Sequence, residues 1–337
     1  MKKLTIRDIA RLAGVSHTTV SRVLNNDPRV APKTLKKILA VIEAQKYRPD
    51  PLARHLARGR SHLIGLIVSD IKNPFYAEMA RGIEDYARKR GYLVVICSAD
   101  DQSDALNQYV ESVIDAGIEG LIFASSKLKE PIVEKLIDDR YPVVMVNRRL
   151  EKEIGAYVVI DNRKGAYLIT QHLINNGYRK IVIITGPDGR STVVERLKGY
   201  KQAMQEAGLP LGKKSIHHVN FSRKEGFDAA MRILAAKNRP EAIEGGNDYI
   251  AMGIMDAAKK LGLSIPEDIA VVGFDNTEFA QSMEMTTVSQ KKYEMGDIAV
   301  KMLIESIERK KPGSLKRVIL EPELIIRSSS RRTKNVR

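Results

Sequence analysis

Apolar residues are spaced in two different ways along this chain, and the spacing changes near residue 60. Between residues 5 and 46 they recur every three or four positions, as they do along one face of an amphipathic helix. From residue 61 onward short continuous apolar runs alternate with helical stretches, which is typical of buried parallel strands connected by helices. The pattern therefore predicts a small all-α module followed by a larger α/β body with parallel sheets.

The N-terminal segment carries the start and stop signals of three short helices. Thr5 and Asp8 have the spacing of a capping box at the start of the first helix, which ends before Gly14. Ser16 can cap a second helix over about 17–24, and a third, over about 32–46, begins at a proline. Two short helices separated by a glycine-containing turn, followed by a third, indicate a helix-turn-helix domain. We expect the core of this domain to contain Ile6, Ile9, Ala10, Ala13, Val20, Val23, Leu24, Leu35, Ile38, Leu39 and Ile42.

The body is too long for a single sheet of this kind, so we predict two lobes that face each other across a cleft. Ligands bind at the carboxyl ends of parallel strands, and two facing lobes place those ends on one cleft. The predicted strands are Leu63–Val68, Leu93–Cys97, Gly120–Ala124, Val143–Val146, Val158–Ile160, Ile181–Ile184 and Ile269–Val272. Helices are expected over about 75–90, 103–116, 164–176, 192–207, 224–236, 249–261 and 292–308.

Positive charge is concentrated at the two ends of the chain. The 337 residues contain 56 Lys and Arg against 41 Asp and Glu, a formal net charge of +15. Residues 1–60 hold 14 basic and 4 acidic residues, residues 327–337 hold five basic and none acidic, and the body between them is neutral. A folded basic module suits a polyanionic partner, whereas we expect the C-terminal block to be a solvated tail.

Several classes of protein are excluded by what the sequence lacks. One cysteine, Cys97, does not allow a disulfide scaffold, and no apolar run reaches the ~18 residues of a membrane helix. The N-terminus is charged where a signal peptide needs an apolar stretch, so we expect a cytoplasmic protein. No phosphate-binding loop, dinucleotide fingerprint or nucleophile elbow occurs, and the adjacent His217 and His218 would point to opposite faces of a strand. We predict no metal, no cofactor and no enzymatic activity.

Particular motifs resemble the LacI/GalR family of bacterial transcription regulators. The segments 5–10 and 14–25 resemble the family's headpiece, and Tyr47–Leu56 resembles its hinge helix, with Asp50 in place of the usual asparagine. The resemblance continues through the body in Ile64–Val68, Asn73–Tyr76, Val159–Asn162, Gly246–Asp248 and Val272–Asn276, which are similar to a periplasmic sugar-binding fold.

This resemblance implies a domain organisation. Residues 1–48 would form the DNA-binding headpiece, 49–60 the hinge helix and linker, 61–327 the two-lobed effector-binding and dimerisation domain, and 328–337 the basic tail. The N-lobe would contain about 61–161 and 291–320, and the C-lobe about 162–290 and 321–327, so that the chain crosses between lobes near 161, 290 and 321.

The resemblance also assigns roles at the DNA. His17, Thr18 and Arg22 would face the bases, with Arg22 a candidate for guanine. From the hinge, Ala53 and Leu56 would enter the minor groove, where Leu56 would separate a base step. The residues that would hold phosphates are Thr5, Ser16, Thr19, Ser21 and Asn25.

Candidate effector residues follow from the predicted strand ends. Phe75 or Tyr76 could stack on a ligand ring, and Phe221 could close the other side. Arg190 and Thr192 lie where a strand turns into a helix, whose N-terminus favours an anion. The residues that could bind hydroxyl groups are Asn147, Asp161, Arg196, Asn247 and Asp275.

We therefore expect a ligand-controlled repressor that binds double-stranded operator DNA as a homodimer, with half-sites about 34 Å apart. The C-terminal segment has no leucine heptad of the kind that forms tetramers. A sugar or sugar acid is the favoured effector. A purine is the alternative, because Arg190, Thr192, Arg196, Phe221 and Asp275 also resemble the purine-repressor pattern.

Other readings stay open from the sequence. A protein corepressor could dock on helix 292–308, where Lys301 stands at a position that is usually arginine in the catabolite-control branch. A transport-type sugar-binding protein would need an export signal and would leave the headpiece unexplained. An enzyme on an α/β fold would need a nucleophile–base pair or a cofactor loop, neither of which is found in the sequence.

Overall fold

The computed structural model describes residues 4–24, 27–47, 60–212, 214–309 and 316–332. The chain forms two compact units, Met1–Ser61 and His62–Arg337. Each unit has a hydrophobic core of its own.

The described part of the first unit, residues 4–24 and 27–47, contains three helices. The Thr5 side chain accepts a hydrogen bond from the backbone N–H of Asp8 (3.3 Å), and the Asp8 carboxylate accepts one from the backbone N–H of Thr5 (2.9 Å). The predicted capping box is therefore confirmed. The first helix ends at Gly14, whose φ of 62° is a left-handed conformation that suits glycine. The helices are α1 (Ile6–Ala13), α2 (His17–Leu24) and α3 (Pro32–Ala44).

The predicted core of this unit is only partly correct. Ile9, Val20 and Ile38 are fully buried, but Leu35 and Leu39 are 36% and 49% exposed. At about 100° per residue, these two leucines lie about 60° and 100° around α3 from Ile38. A helix that packs against two short partners buries one narrow stripe, so the neighbouring leucines stay outside it.

The second unit begins with a parallel six-stranded sheet, which forms the N-lobe. Its strand order is β11-β5-β4-β3-β1-β2, so β2 and β11 are the two edges. The strands are β1 (Leu63–Val68), β2 (Leu93–Ser98), β3 (Leu121–Phe123), β4 (Val143–Val146), β5 (Ala156–Ile160) and β11 (Arg317–Leu320). The helices of this lobe are α4 (Pro74–Lys89), α5 (Ser103–Asp115), α6 (Pro131–Asp138) and α12 (Lys292–Arg309).

The C-lobe is built on a second parallel sheet of order β7-β6-β8-β9 and a small antiparallel pair, β10 and β12. The strands are β6 (Ile181–Thr185), β7 (Ile216–His218), β8 (Ala242–Gly245), β9 (Ala270–Val272), β10 (Thr287–Ser289) and β12 (Glu323–Ile325). The helices are α7 (Asn162–Asn175), α8 (Ser191–Glu206), α9 (Arg223–Leu234), α10 (Asp248–Lys260) and α11 (Glu278–Ser282).

The chain passes between the two lobes three times. β5 ends one residue before α7 begins, β10 ends shortly before α12, and β11 is followed closely by β12. These crossings lie near residues 161, 290 and 321, where the family resemblance implies them. Neither lobe is therefore a continuous segment of the sequence.

The prediction of a solvated tail from residue 328 is wrong for Ser329 and Ser330, whereas Arg331 and Arg332 are exposed. Ser328–Ser330 forms a 3₁₀ turn in which Ser329 and Ser330 are buried. The Ser329 hydroxyl donates to the carbonyl of Val271 (2.6 Å) and accepts from the backbone N–H of Thr286 (2.9 Å). Net charge does not reveal this packing, because serines make the contacts. The last five residues lie outside the described part of the chain.

Two further findings concern predicted absences. Within the described ranges, no helix combines the length and apolarity that crossing a bilayer requires. Across those same ranges, no group of three or more His, Cys, Asp and Glu side chains is placed so that it could hold a metal ion. Cys97 is buried and forms no disulfide.

Candidate effector cleft and DNA-binding face

Between the two lobes of the second unit lies a cavity of about 310 Å³. Eight of the ten predicted effector residues line it: Phe75, Tyr76, Asn147, Thr192, Arg196, Phe221, Asn247 and Asp275. They come from both lobes, and most follow the carboxyl end of a strand, as parallel-sheet geometry predicts.

Two aromatic side chains form the N-lobe wall. Asn73 caps α4 by accepting from the backbone N–H of Phe75 (3.0 Å), which places Phe75 and Tyr76 in the first helical turn. Their rings meet edge to face with centroids 5.1 Å apart. The Tyr76 hydroxyl donates to Ser69 (3.0 Å), so the ring is held in place and burial raises the pKa of this phenol.

An ion pair that the sequence analysis missed lies beside these rings. Arg148 is almost fully buried and donates to the Asp101 carboxylate at 2.6 Å. Burial opposes the charge of Asp101, but the guanidinium of Arg148 holds the pKa of that carboxyl below its usual value. Both residues follow strand ends, the signal that identified Asn147, and the same rule applied to β2 and β4 would have included them.

The C-lobe wall centres on Arg196. Its guanidinium stacks 3.7 Å from the centre of the Phe274 ring and donates to Asn162 (2.8 Å) and to the carbonyl of Gly246 (2.6 Å). Burial lowers the pKa of Arg196 to about 10, so it remains a cation at neutral pH. The helix-forming sequence after Arg190 carries Arg196 one turn and a half into α8, where it reaches the cleft.

Asp275 faces Arg196 across this wall and is 3% exposed. Burial, with the neighbouring Asp248 carboxylate, raises the pKa of Asp275 to about 7. Its carboxylate accepts a short hydrogen bond from the Gln290 side chain at the second crossing. Gln290 is a cleft residue that the sequence analysis did not select, because β10, which it directly follows, was not among the predicted strands.

Arg190 and Asp161 are the two predicted effector residues that the structure places outside the lining of the cavity. Arg190 does not line the cavity, since its guanidinium turns toward the Asp101 carboxylate of the other lobe (3.7 Å). Asp161 caps α7 by accepting from the backbone N–H of Lys164 (2.8 Å) and lies in a separate depression of about 150 Å³. A carboxylate directly before a helix accepts hydrogen bonds from the unpaired N–H groups of the first turn. Asp161 therefore caps α7, although it also follows the end of β5.

Polar atoms without partners point to a bound molecule. Among the described residues, Asn147 Oδ1, Arg148 Nε and Gln290 Oε1 are buried and make no hydrogen bond within the protein. Buried polar groups are nearly always satisfied, so three such atoms around one cavity need a ligand or water to pair with them. A ligand that pairs with all three atoms must offer donors and acceptors together, as a hydroxyl group does.

The first unit presents the predicted DNA-binding face on α2. His17, Thr18 and Arg22 are exposed on one side of the helix, while Val20 and Val23 are buried on the other. The backbone N–H of Thr19 donates to Ser16 Oγ at 3.1 Å, and the two hydroxyls lie 2.8 Å apart. Thr5 is occupied by the capping box, and Ser21 is half-buried. Asn25, Ala53 and Leu56, with most of the predicted hinge, lie outside the described residues.

Comparison with known proteins identifies two regions of the chain. Residues 5–50 match the model of bacterial regulatory proteins of the lacI family, and residues 61–325 match that of periplasmic binding proteins and the sugar-binding domain of the LacI family. The HTH-type transcriptional repressor PurR of Photobacterium profundum is 34% identical, covering 96% of this chain and 98% of its own length. The ribose operon repressor of Escherichia coli K12 is 36% identical over 90% of this chain and 93% of its own.

Among solved structures, the lac repressor dimer bound to operator and the anti-inducer ONPF superposes with a TM-score of 0.84 at 25% identity, covering 98% of this chain and 99% of that one. These relatives are DNA-binding repressors and not enzymes. The chain therefore belongs to the LacI family of bacterial regulatory proteins and is a ligand-responsive, non-enzymatic transcription repressor.

Proposed function

We propose that the cleft of this repressor takes a neutral sugar of monosaccharide size, and that its occupancy changes the affinity of the headpiece for an operator. The observation that carries the proposal is the set of unpaired donors and acceptors between aromatic walls in a cavity of about 310 Å³. Sugar rings present apolar faces to aromatic side chains and hydroxyl groups to amides, carboxylates and guanidinium groups.

The charges of the cleft favour a neutral sugar over a sugar acid. The lining carries three cationic side chains, on Lys72, Arg148 and Arg196. They are matched by four carboxylates, on Asp70, Asp100, Asp101 and Asp275. An anionic ligand would need an excess of positive charge that this lining does not offer.

A purine is the second candidate, and the similarity to PurR of P. profundum supports it. The position of Arg190 counts against it, because this residue of the purine-like pattern is turned toward Asp101. The ribose operon repressor of E. coli is similar at a comparable level, so D-ribose is the first sugar to test.

A thermal-shift screen separates these candidates. D-Ribose, other pentoses and hexoses, sugar acids, sugar phosphates, hypoxanthine and guanine would each be added to the full chain. A ligand at about 100 times its Kd stabilises the folded state by about 2.7 kcal/mol, which is readily measured. A shift with neutral sugars alone supports the proposal, whereas a shift with nucleobases alone refutes it.

We also propose a homodimer that works in the cytoplasm and associates with the nucleoid when bound to DNA. Edge strand β2 exposes Leu93, Val95 and Ile96, and Ile71 beside it is 60% exposed. An apolar edge strand of this kind suits a second copy of the chain, and two headpieces can then read two half-sites.

Control by a protein corepressor is a further candidate function, and a surface formed by α4 and α12 favours it. On α4 and α12, Tyr293 is 43% exposed with its hydroxyl 3.2 Å from Asp85, and Lys301 pairs with Asp297 on the same helix. A pull-down with the phosphorylated carrier protein that acts as corepressor in the catabolite-control branch would detect such a partner. Retention on the wild-type repressor but not on a Tyr293→Ala variant would support it.

A further inference from the structure

Lys292 has an unusual position for a charged residue. It is the first residue of α12, directly after the second crossing between the lobes, and its side chain is only 3% exposed. Its ammonium group donates to the carbonyls of Asp275 (2.8 Å) and Asn276 (2.8 Å) and pairs with the Glu78 carboxylate (3.0 Å). A lysine ammonium has three N–H donors, so each donor has one partner.

The three partners belong to both lobes. Asp275 and Asn276 follow β9 in the C-lobe, and Glu78 is on α4 of the N-lobe. Both C-lobe residues have positive φ, 140° and 54°, a conformation that non-glycine residues rarely adopt without support. Lys292 holds the carbonyls of this segment, while Gln290 holds the carboxylate of Asp275.

The residues that Lys292 contacts lead to the cleft in both lobes. At one end the Asp275 carboxylate lines the cavity, and at the other α4 begins with the cavity residues Phe75 and Tyr76. α4 is packed tightly on α12 at Gly82. A side chain at this position does not fit, since its Cβ would overlap the Tyr293 carbonyl. The Lys292 ammonium group therefore joins the Asp275 segment to Glu78 on α4.

We propose that Lys292 is a positioning residue that couples the effector cleft to the N-lobe. It fixes the backbone that carries Asp275 and links it to α4 through Glu78, so that the angle between the lobes follows the occupancy of the cleft. This inference rests on the proposed function for the identity of the cleft as the effector site. A buried cation is a costly way to gain stability alone, since apolar replacements of buried ion pairs are often neutral or stabilising.

The first test needs no ligand. Dyes attached through Asp138→Cys on α6 and Lys201→Cys on α8, in a Cys97→Ser background, report the interlobe distance by single-molecule Förster transfer. Sparse labelling leaves one labelled protomer per dimer. Lys292→Met is expected to broaden or shift this distance distribution, and Lys292→Arg to restore most of it. A distribution in Lys292→Met identical to that of the parent protein overturns the proposal.

The second test separates coupling from binding. The affinity of the full chain for a selected operator is measured with and without D-ribose, and the ratio is the coupling factor. Glu78 is half-exposed and outside the cavity, so Glu78→Gln should leave the Kd for D-ribose within about twofold. It should lower the coupling factor by at least about fivefold. Unchanged coupling in both Glu78→Gln and Lys292→Met refutes the inference.

Failure of the proposed function would look different. If none of the neutral sugars of the thermal-shift screen binds the wild-type repressor or alters its operator affinity, the sugar assignment fails. The interlobe distance of Lys292→Met in the ligand-free protein still supports or overturns the role of Lys292.

Discussion

The Asp101 carboxylate pairs with one arginine from each lobe. Asp101 binds Arg148 of its own lobe at 2.6 Å and Arg190 of the opposite lobe at 3.7 Å. The position of Arg190 before a helix could be predicted from the sequence, but its partner could not. Asp101 has a φ of 56°, and the left-handed backbone of its loop aims the carboxylate back into the cleft. Local sequence patterns do not specify such a direction.

A buried carboxyl group away from the cleft gives a pH prediction. Glu244 lies in β8 and is 3% exposed, and burial raises its pKa from the ordinary 4.5 to about 8. The folded protein keeps a proton that the unfolded chain releases, so the stability from this group is complete below about pH 4.5 and is lost as the pH rises through 8. Glu244→Gln should raise the free energy of unfolding by about 1–3 kcal/mol at pH 8.5. It should have little effect at pH 4.5.

Glu241→Gln is the control when the free energy of unfolding is measured across the pH range, because its effect on stability should have the opposite sign. Glu241 accepts from the backbone N–H groups of Arg179 (2.6 Å) and Lys180 (3.2 Å), and these bonds hold its pKa below the usual value despite partial burial. Glu241→Gln should lower stability at neutral pH, with the difference shrinking as the pH falls. If both glutamine variants responded to pH in the same direction, the role of burial at Glu244 would be wrong.

Arg22 gives the sharpest test of the DNA-binding face. It is exposed on α2 beside His17 and Thr18, so its guanidinium is free to reach a base edge. Arg22→Ala should lower discrimination between operator and random DNA by about 1–3 kcal/mol, measured by fluorescence anisotropy on both. Equal weakening on the two DNAs would instead identify Arg22 as a phosphate contact.

At the scale of elements, strong apolar runs predicted their strands and weak ones did not. β1, β4 and β6 are continuous runs of branched apolar residues and were predicted to within one residue. β8 contains Glu244, β7 contains two histidines in three residues, and β11 is only four residues long, so their patterns resemble loops. These strands exist because neighbouring strands supply hydrogen bonds, which is information that lies elsewhere in the chain.

The C-terminal 3₁₀ turn offers a matched pair of substitutions. Ser329→Ala removes the hydroxyl that binds the Val271 carbonyl and the Thr286 N–H, leaving two buried backbone groups unpaired. It should lower the free energy of unfolding by about 1–3 kcal/mol in urea titrations. Ser328→Ala removes only an exposed 3.4 Å contact and should change stability by less than about 0.5 kcal/mol. Similar losses in the two variants would contradict this account.

At the scale of the molecule, the two edges of the N-lobe sheet differ in a way that predicts assembly. β2 exposes three large apolar residues, whereas β11 exposes one, Ile319. Ile96→Asp on β2 should give monomers in sedimentation velocity and weaken operator binding at least tenfold, because a dimer binds two half-sites together. Ile319→Asp on the opposite edge is the control and should remain dimeric. A dimer of Ile96→Asp with wild-type affinity would place the interface elsewhere.

The three crossings between the lobes have a consequence for the order in which the protein is made. The N-lobe sheet lacks its edge strand β11 until residue 320 has been synthesised, and the C-lobe lacks β12 until residue 325. The headpiece has a hydrophobic core of its own, so it can fold as soon as it leaves the ribosome. A nascent or prematurely terminated chain would therefore carry a DNA-reading domain before it carries any means of control.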